Sequence, residues 1–253
     1  MPELLHANCQ STRSSEPLVK MGVGDEGVSA ILLFGSRARE DNSRGSDTDL
    51  LLVSPPGTPR HKSIGYLSMF FYPWEKLAAD ARNGDLFVCH IVREAKPVFD
   101  PLDQLDQLRS QFRLRSSYAR EIGHARDLGW FLDRHAGALN SNLVMRRMVW
   151  CVRTIVIAQL AERGTPVFAP AALASAAPSA ADLLASRHQR RLDSATRQRF
   201  RQYLVQEGGN PPLPGKATLE DYHALFAQSS NKVGLQTIER GVQWSEDAHD
   251  HYR

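Results

Sequence analysis

Two aspartates one residue apart, Asp47 and Asp49, stand at the head of an apolar run in "SDTDLLLV". In a strand, residues i and i+2 share a face, so the two carboxylates project together while Thr48 points the other way. Side by side they repel, and each raises the other's pKa unless a cation is shared between them. Magnesium suits such a pair, because it prefers oxygen ligands, keeps several waters and bridges carboxylates to phosphates. Just upstream, "VSAILLFG" runs into Gly35-Ser36. A glycine lets backbone approach a ligand closely, and a helix opening at residues 36–40 would turn free N–H groups toward a phosphate. Arg37 and Arg39 place cations beside that cradle. A phosphate cradle on one strand end and a metal pair on the next suit phosphoryl or nucleotidyl transfer. Each piece alone is common: a DxD is also an ordinary exposed strand start, and Gly-Ser an ordinary turn. Their combination carries the reading.

The elements that must hold these residues are readable from the pattern. "VSAILLFG" is a buried strand, "SRAREDNSRGS" a short helix or turn, and "DTDLLLV" a second strand closed by "SPPGTP". "SIGYLSMFFY" reads as a third strand. Pro73 suits the first turn of a helix over "PWEKLAADARN", with Gly84 just past its end. In "DLFVCHIVREA", residues Leu86, Phe87, His90, Ile91 and Glu94 fall at helical spacing and Asp85 is a good N-cap. His90 and Glu94 therefore share a helix face, either as a surface pair or as a His–Glu base beside the metals. "KPVFD" follows as a short strand or extended exit. From Asp103 the character changes to helical periodicity, clearest in "NLVMRRMVWCVRTIVIAQLAERG", where Val144, Met148, Cys151 or Val152, Ile155 and Gln159 trace one stripe. Further helices are expected near 181–206 and 218–240. The fold class is α+β: a loose N-terminal arm at residues 1–17, a mixed β-sheet domain at 18–102, and an all-α helical domain at 103–253.

A chain of 253 residues with 42% hydrophobic and 23% charged side chains has ample material for a core, which excludes wholesale disorder. The net charge of +3 does not suggest a nucleic-acid coat. Six arginines do cluster between Arg187 and Arg201, either as a solvated helix face or as an RNA-facing patch. Arg146 and Arg153, seven apart, share a face that could meet a nucleotide or an acidic acceptor. Cys9, Cys89 and Cys151 form neither a CxxC nor a metal spacing, and no disulfide framework is expected. No signal peptide and no membrane-length apolar run is read, so a reducing cytoplasm is the expected location.

"FGSRARE…SDTDLLLV" resembles the signature of the DNA polymerase β-like nucleotidyltransferase superfamily, and more narrowly that of small single-chain members such as aminoglycoside-modifying enzymes. The resemblance covers residues 18–102. It implies a mixed-sheet catalytic domain followed by a helical bundle, Gly35 and Ser36 holding a triphosphate, and Asp47 and Asp49 binding two Mg²⁺; Arg37, Arg39 and Ser46 are the further nucleotide-binding candidates. It implies transfer of an NMP from an NTP to a hydroxyl, on a small molecule, a protein or an RNA end, with release of pyrophosphate. There are two departures. Glu40 stands where many members have glycine. The third carboxylate, which in the family helps take the acceptor's proton, falls on Ser68 in "YLSMFF". Among possible substitutes are Asp85, His90, Glu94 and Asp100. A nucleotide-binding or interaction module with little catalysis, acting as an antitoxin-like or regulatory partner of another protein, is the alternative that Ser68 motivates.

Overall fold

The computed structural model describes residues 27–42, 45–186, 189 and 192–250, the last nine by backbone alone. The arm at 1–17, the start of the mixed domain at 18–26, and Arg187, Arg190 and Arg191 lie outside the described residues.

The first half builds one five-stranded mixed sheet. Its strands are β1 (Ala30–Phe34), β2 (Thr48–Ser54), β3 (Arg60–Ile64), β4 (Leu67–Pro73) and β5 (Lys96–Phe99). Their order across the sheet is β3-β4-β2-β1-β5, with β2 and β4 parallel and the other neighbours antiparallel. The central β2 buries Leu51, Leu52 and Val53 on both faces, which is why its sequence is a continuous apolar run rather than an alternation. Pro97 sits on edge strand β5, where a missing ladder donor is tolerated.

Between and after the strands come α1 (Ser36–Arg39), α2 (Trp74–Arg82), α3 (Leu86–Glu94) and α4 (Gln104–Gln111). Leu77 and Ala81 of α2, Val88, Ile91 and Val92 of α3, and Leu105 and Leu108 of α4 pack on the sheet face formed by Ala30, Leu32, Phe34, Leu51 and Val53. Asp85 caps α3 as its sequence suggests, accepting from the N–H groups of Phe87 (2.8 Å) and Val88 (3.1 Å). Asp100 plays a similar part for α4, accepting from Gln104 and Leu105.

The rest is helical: α5 (Ala119–His135), α6 (Ser141–Glu162), α7 (Pro170–Ala176), α8 (Ala181–Ala185), α9 (Ser194–Gln206), α10 (Leu219–Gln228) and α11 (Lys232–Asp250). The long α6 runs through the middle of this core with Val144, Met148, Cys151, Val152 and Ile155. α3 lies between the two cores, since its Cys89 joins the helical cluster while Val88 and Ile91 face the sheet. Two further ties cross this junction. The Tyr118 hydroxyl donates to the Gly84 carbonyl at 2.8 Å, and the Phe168 ring stacks on His90 at 4.4 Å.

Three local readings are corrected. The single strand expected in "SIGYLSMFFY" is a hairpin, with β3 and β4 meeting at Gly65, whose φ of 57° marks a left-handed turn. β3 escaped notice because all five of its residues are exposed and none marks an apolar face. β2 begins at Thr48, so Asp47 stands on the loop just before the strand. Pro73 ends β4 and occupies the N-cap of α2 rather than its first turn.

Candidate active site

Phe34 and Asp49 are cross-strand partners, and Gly35 follows Phe34 at once. Gly35 has φ 73° and ψ −154°, a conformation open essentially to glycine alone. A Cβ built there would stand 2.7 Å from Oδ2 of Asp49. The carboxylate is therefore tucked directly against the turn that opens α1, and any side chain at position 35 would displace it. The carbonyl of Gly35 accepts from the N–H groups of Ala38 and Arg39, both at 3.1 Å, which winds Ser36–Arg39 into its single turn. Glu40 ends that turn with φ 66°, the left-handed conformation that explains why a glycine would be at home there.

Arg37 donates from Nη2 to the Ser46 carbonyl at 3.0 Å, pinning the loop that carries Ser46 and Asp47 against α1. Thr48 donates its N–H to the Tyr66 carbonyl at 2.6 Å, which fixes the start of β2 to the β3–β4 turn. Asp47 is exposed and Asp49 half-buried. Burial first, and then the neighbouring charge of Asp47, push the Asp49 carboxyl above the usual carboxylate range; His90, His61 and Arg39 oppose that rise. These groups surround Asp49 closely enough for their charges to be felt.

His90 and Glu94 are brought together, with Nε2 of His90 2.8 Å from Oε2 of Glu94. Arg39 donates from Nη1 to the same oxygen and from Nε to Asp41 at 3.1 Å. Burial opposes the charge on Glu94, yet its bonds to His90 and Arg39 hold its carboxyl below the ordinary range. The His90 ring is packed edge-on to Phe34 and face-on to Phe168.

Ser68 lies in register with Asp49 across the β2–β4 pairing. Of the other carboxylates considered, Asp85 and Asp100 are engaged in capping helices. Among the described residues, no group of three or more His, Cys, Asp or Glu side chains is placed to hold a metal. Sequence reasoning missed His61 and Ser63, which share the Asp49 face through β3 and β4. The only signal was Gly65 in "RHKSIGY", a turn residue after a polar run.

Elsewhere, Arg153 donates to the Phe168 carbonyl at 3.2 Å. Arg197 and Arg201 turn toward Asp133, at 3.3 and 3.9 Å. No helix among the described residues is long and apolar enough to cross a membrane.

Residues 20–108 match the family model of a nucleotidyltransferase domain. The mixed sheet with its GS turn and paired aspartates is thus a nucleotidyltransferase domain, followed by a helical region. Among solved structures, a nucleotidyltransferase-like protein from Exiguobacterium sibiricum 255-15 is similar at 15% identity and a TM-score of 0.31, over 83% of this chain and 72% of that one. No curated protein gives a significant match.

Proposed function

We propose that the chain is a magnesium-dependent nucleotidyltransferase that moves an NMP from an NTP onto a hydroxyl acceptor and releases pyrophosphate. The observation that carries this is the close approach of Asp49 to the Gly35 turn, with Asp47 near enough for its charge to act on Asp49. The donor set fits the cation: burial and the neighbouring charge of Asp47 disfavour the charge on Asp49, a conflict that a divalent ion resolves. Asp47 and Asp49 would hold the two Mg²⁺ of this family. When bound, the ions neutralise charge on the triphosphate and keep nucleophile and leaving group in line.

The chain's own residues do the rest. Gly35 and Ser36 offer backbone to the triphosphate at the turn. Arg37 holds the Ser46–Asp47 loop, and Arg39 faces the phosphates, fixed from behind by Glu94. His90 and Glu94 act as the auxiliary pair, since the Nε2 of His90 is committed to Glu94 and its ring to two aromatic neighbours. The acceptor, whether small molecule, protein side chain or RNA end, meets the α-phosphate at this end of the sheet. Buried, unpaired Cys89 and Cys151 support a reducing cytoplasm as its place of action.

Incubation with each α-labelled NTP, Mg²⁺ and cell extract tests the proposal. Labelled product is expected from the unsubstituted chain and not from Asp47→Asn or Asp49→Asn. Ser68 beside Asp49 favours one other reading, a nucleotide-binding partner of another protein. NTP binding with no label transferred to anything would select it.

A further inference from the structure

We propose that His61, acting through the hydroxyls of Ser63 and Ser68, takes the proton of the acceptor hydroxyl, the task for which the nucleotidyltransferase pattern uses a third carboxylate. This rests on the nucleotidyltransferase reading and adds the proton's path to it. Asp49, Ser68 and Ser63 occupy one row across three strands, because Asp49 is in register with Ser68 and Ser68 with Ser63. Oγ of Ser68 lies 3.4 Å from Oγ of Ser63, and Oγ of Ser63 lies 3.2 Å from Nε2 of His61. The imidazole is stacked on Phe70 with ring centroids 4.4 Å apart, which keeps that nitrogen aimed at Ser63 although the residue is exposed.

A serine hydroxyl both donates and accepts, so it passes a proton on but cannot keep one at neutral pH. A relay of two hydroxyls therefore needs a base at its end, and imidazole is the side chain whose ordinary pKa suits that work. His90, the other histidine near Asp49, has its Nε2 already bonded to Glu94. Toward His61, β2 presents Asp49, whose field the imidazole shares; β4 presents Phe70 and Ser68, which carry no charge. Arg60 and Lys62 alternate to the opposite face, Arg60 lying over the Phe71 ring.

The acceptor oxygen forms a bond to the α-phosphorus while the bond from that phosphorus to the α–β bridging oxygen breaks, and pyrophosphate leaves with the electron pair. The acceptor's proton passes to Ser68, the Ser68 proton to Ser63, and the Ser63 proton to His61, which becomes imidazolium.

The test measures label transfer from a mixture of the four α-labelled NTPs, with Mg²⁺ and a soluble extract as acceptor source, across pH. His61 is exposed, so His61→Ala is expected to fold. It should transfer roughly 100-fold more slowly at saturating NTP, with the NTP concentration for half-rate unchanged. It should also lose the acidic limb of the pH profile and regain rate on addition of free imidazole. Ser63→Ala and Ser68→Ala should also slow transfer, and in the unliganded chain both should move the His61 imidazole resonances. A His61→Ala rate within twofold of the unsubstituted chain overturns the relay, as does an acidic limb that survives in His61→Ala and vanishes in His90→Gln. No transfer by the unsubstituted chain overturns the nucleotidyltransferase reading itself, and the relay with it.

Discussion

At the scale of single residues, the proposed site holds a conflict that bound divalent cations would relieve. Asp49 is half-buried beside Asp47, and its carboxyl is pushed upward by burial and by that neighbour. A group whose folded pKa is raised stabilises the fold below its unfolded pKa and loses that contribution as pH rises through the folded value. At neutral pH without divalent ions, charged Asp49 is therefore a burden on the fold. Asp49→Asn is expected to raise the melting temperature at pH 7, with the difference shrinking as pH falls below the carboxylate range. Adding Mg²⁺ should raise the melting temperature of the unsubstituted chain and leave that of Asp49→Asn nearly unchanged. Thermal scans across pH, with and without Mg²⁺, check both expectations. A Tm lowered by the substitution at pH 7 would show that Asp49 is held by partners rather than strained by its surroundings. Gly35 belongs to the same logic, because its φ of 73° and the 2.7 Å to Oδ2 of Asp49 leave no room for any other residue.

At the scale of elements, α3 carries His90 and Glu94 of the proposed site and touches both cores. Its first turn is satisfied by Asp85, which accepts from two backbone N–H groups. Asp85→Ala should lower stability by about 1 kcal/mol, the usual cost of losing such a cap, as read by urea denaturation. The cap was legible in the sequence because "DLFVCHIVRE" combines an N-cap residue with helical spacing of apolar side chains. β2 was legible for the same kind of reason: a run of leucines and a valine between polar boundaries admits few other readings. β3 was not. "RHKSI" carries no buried face, and its pairing with β4 is specified by the Gly65 turn and the partner strand rather than by its own pattern. The same gap hid His61 and Ser63, whose place beside Asp49 follows from a register that the local sequence does not record. The side-by-side position of Asp49 and Ser68, by contrast, was already implied by the family pattern, and the parallel β2–β4 ladder supplies it.

At the scale of the whole molecule, the helical half reaches the site through Phe168, which is buried in the helical core and stacked on His90. Glu162 at the end of α6 accepts from the N–H of Tyr118 at 2.5 Å, and Tyr118 in turn bonds Gly84, so the junction has more than one anchor. Phe168→Ala should cost about 3 kcal/mol of stability through the cavity it leaves, measured by denaturant unfolding. It should also slow transfer, because the His90 that shares the Glu94 oxygen with Arg39 is then loosened. An unchanged transfer rate in a folded Phe168→Ala chain would mean that the helical half does not support the site from this side.

The central claim, nucleotidyl transfer at Asp47 and Asp49, is tested most directly by following two labels at once. The NTP is supplied with one label on the α-phosphate and another on the γ-phosphate, together with Mg²⁺ and the acceptor-bearing extract. The account predicts that the α-label enters the acceptor, that the γ-label leaves in pyrophosphate, and that both events stop in Asp47→Asn and Asp49→Asn. Transfer of the γ-label to the acceptor, or α-label transfer that persists in both variants, would contradict it.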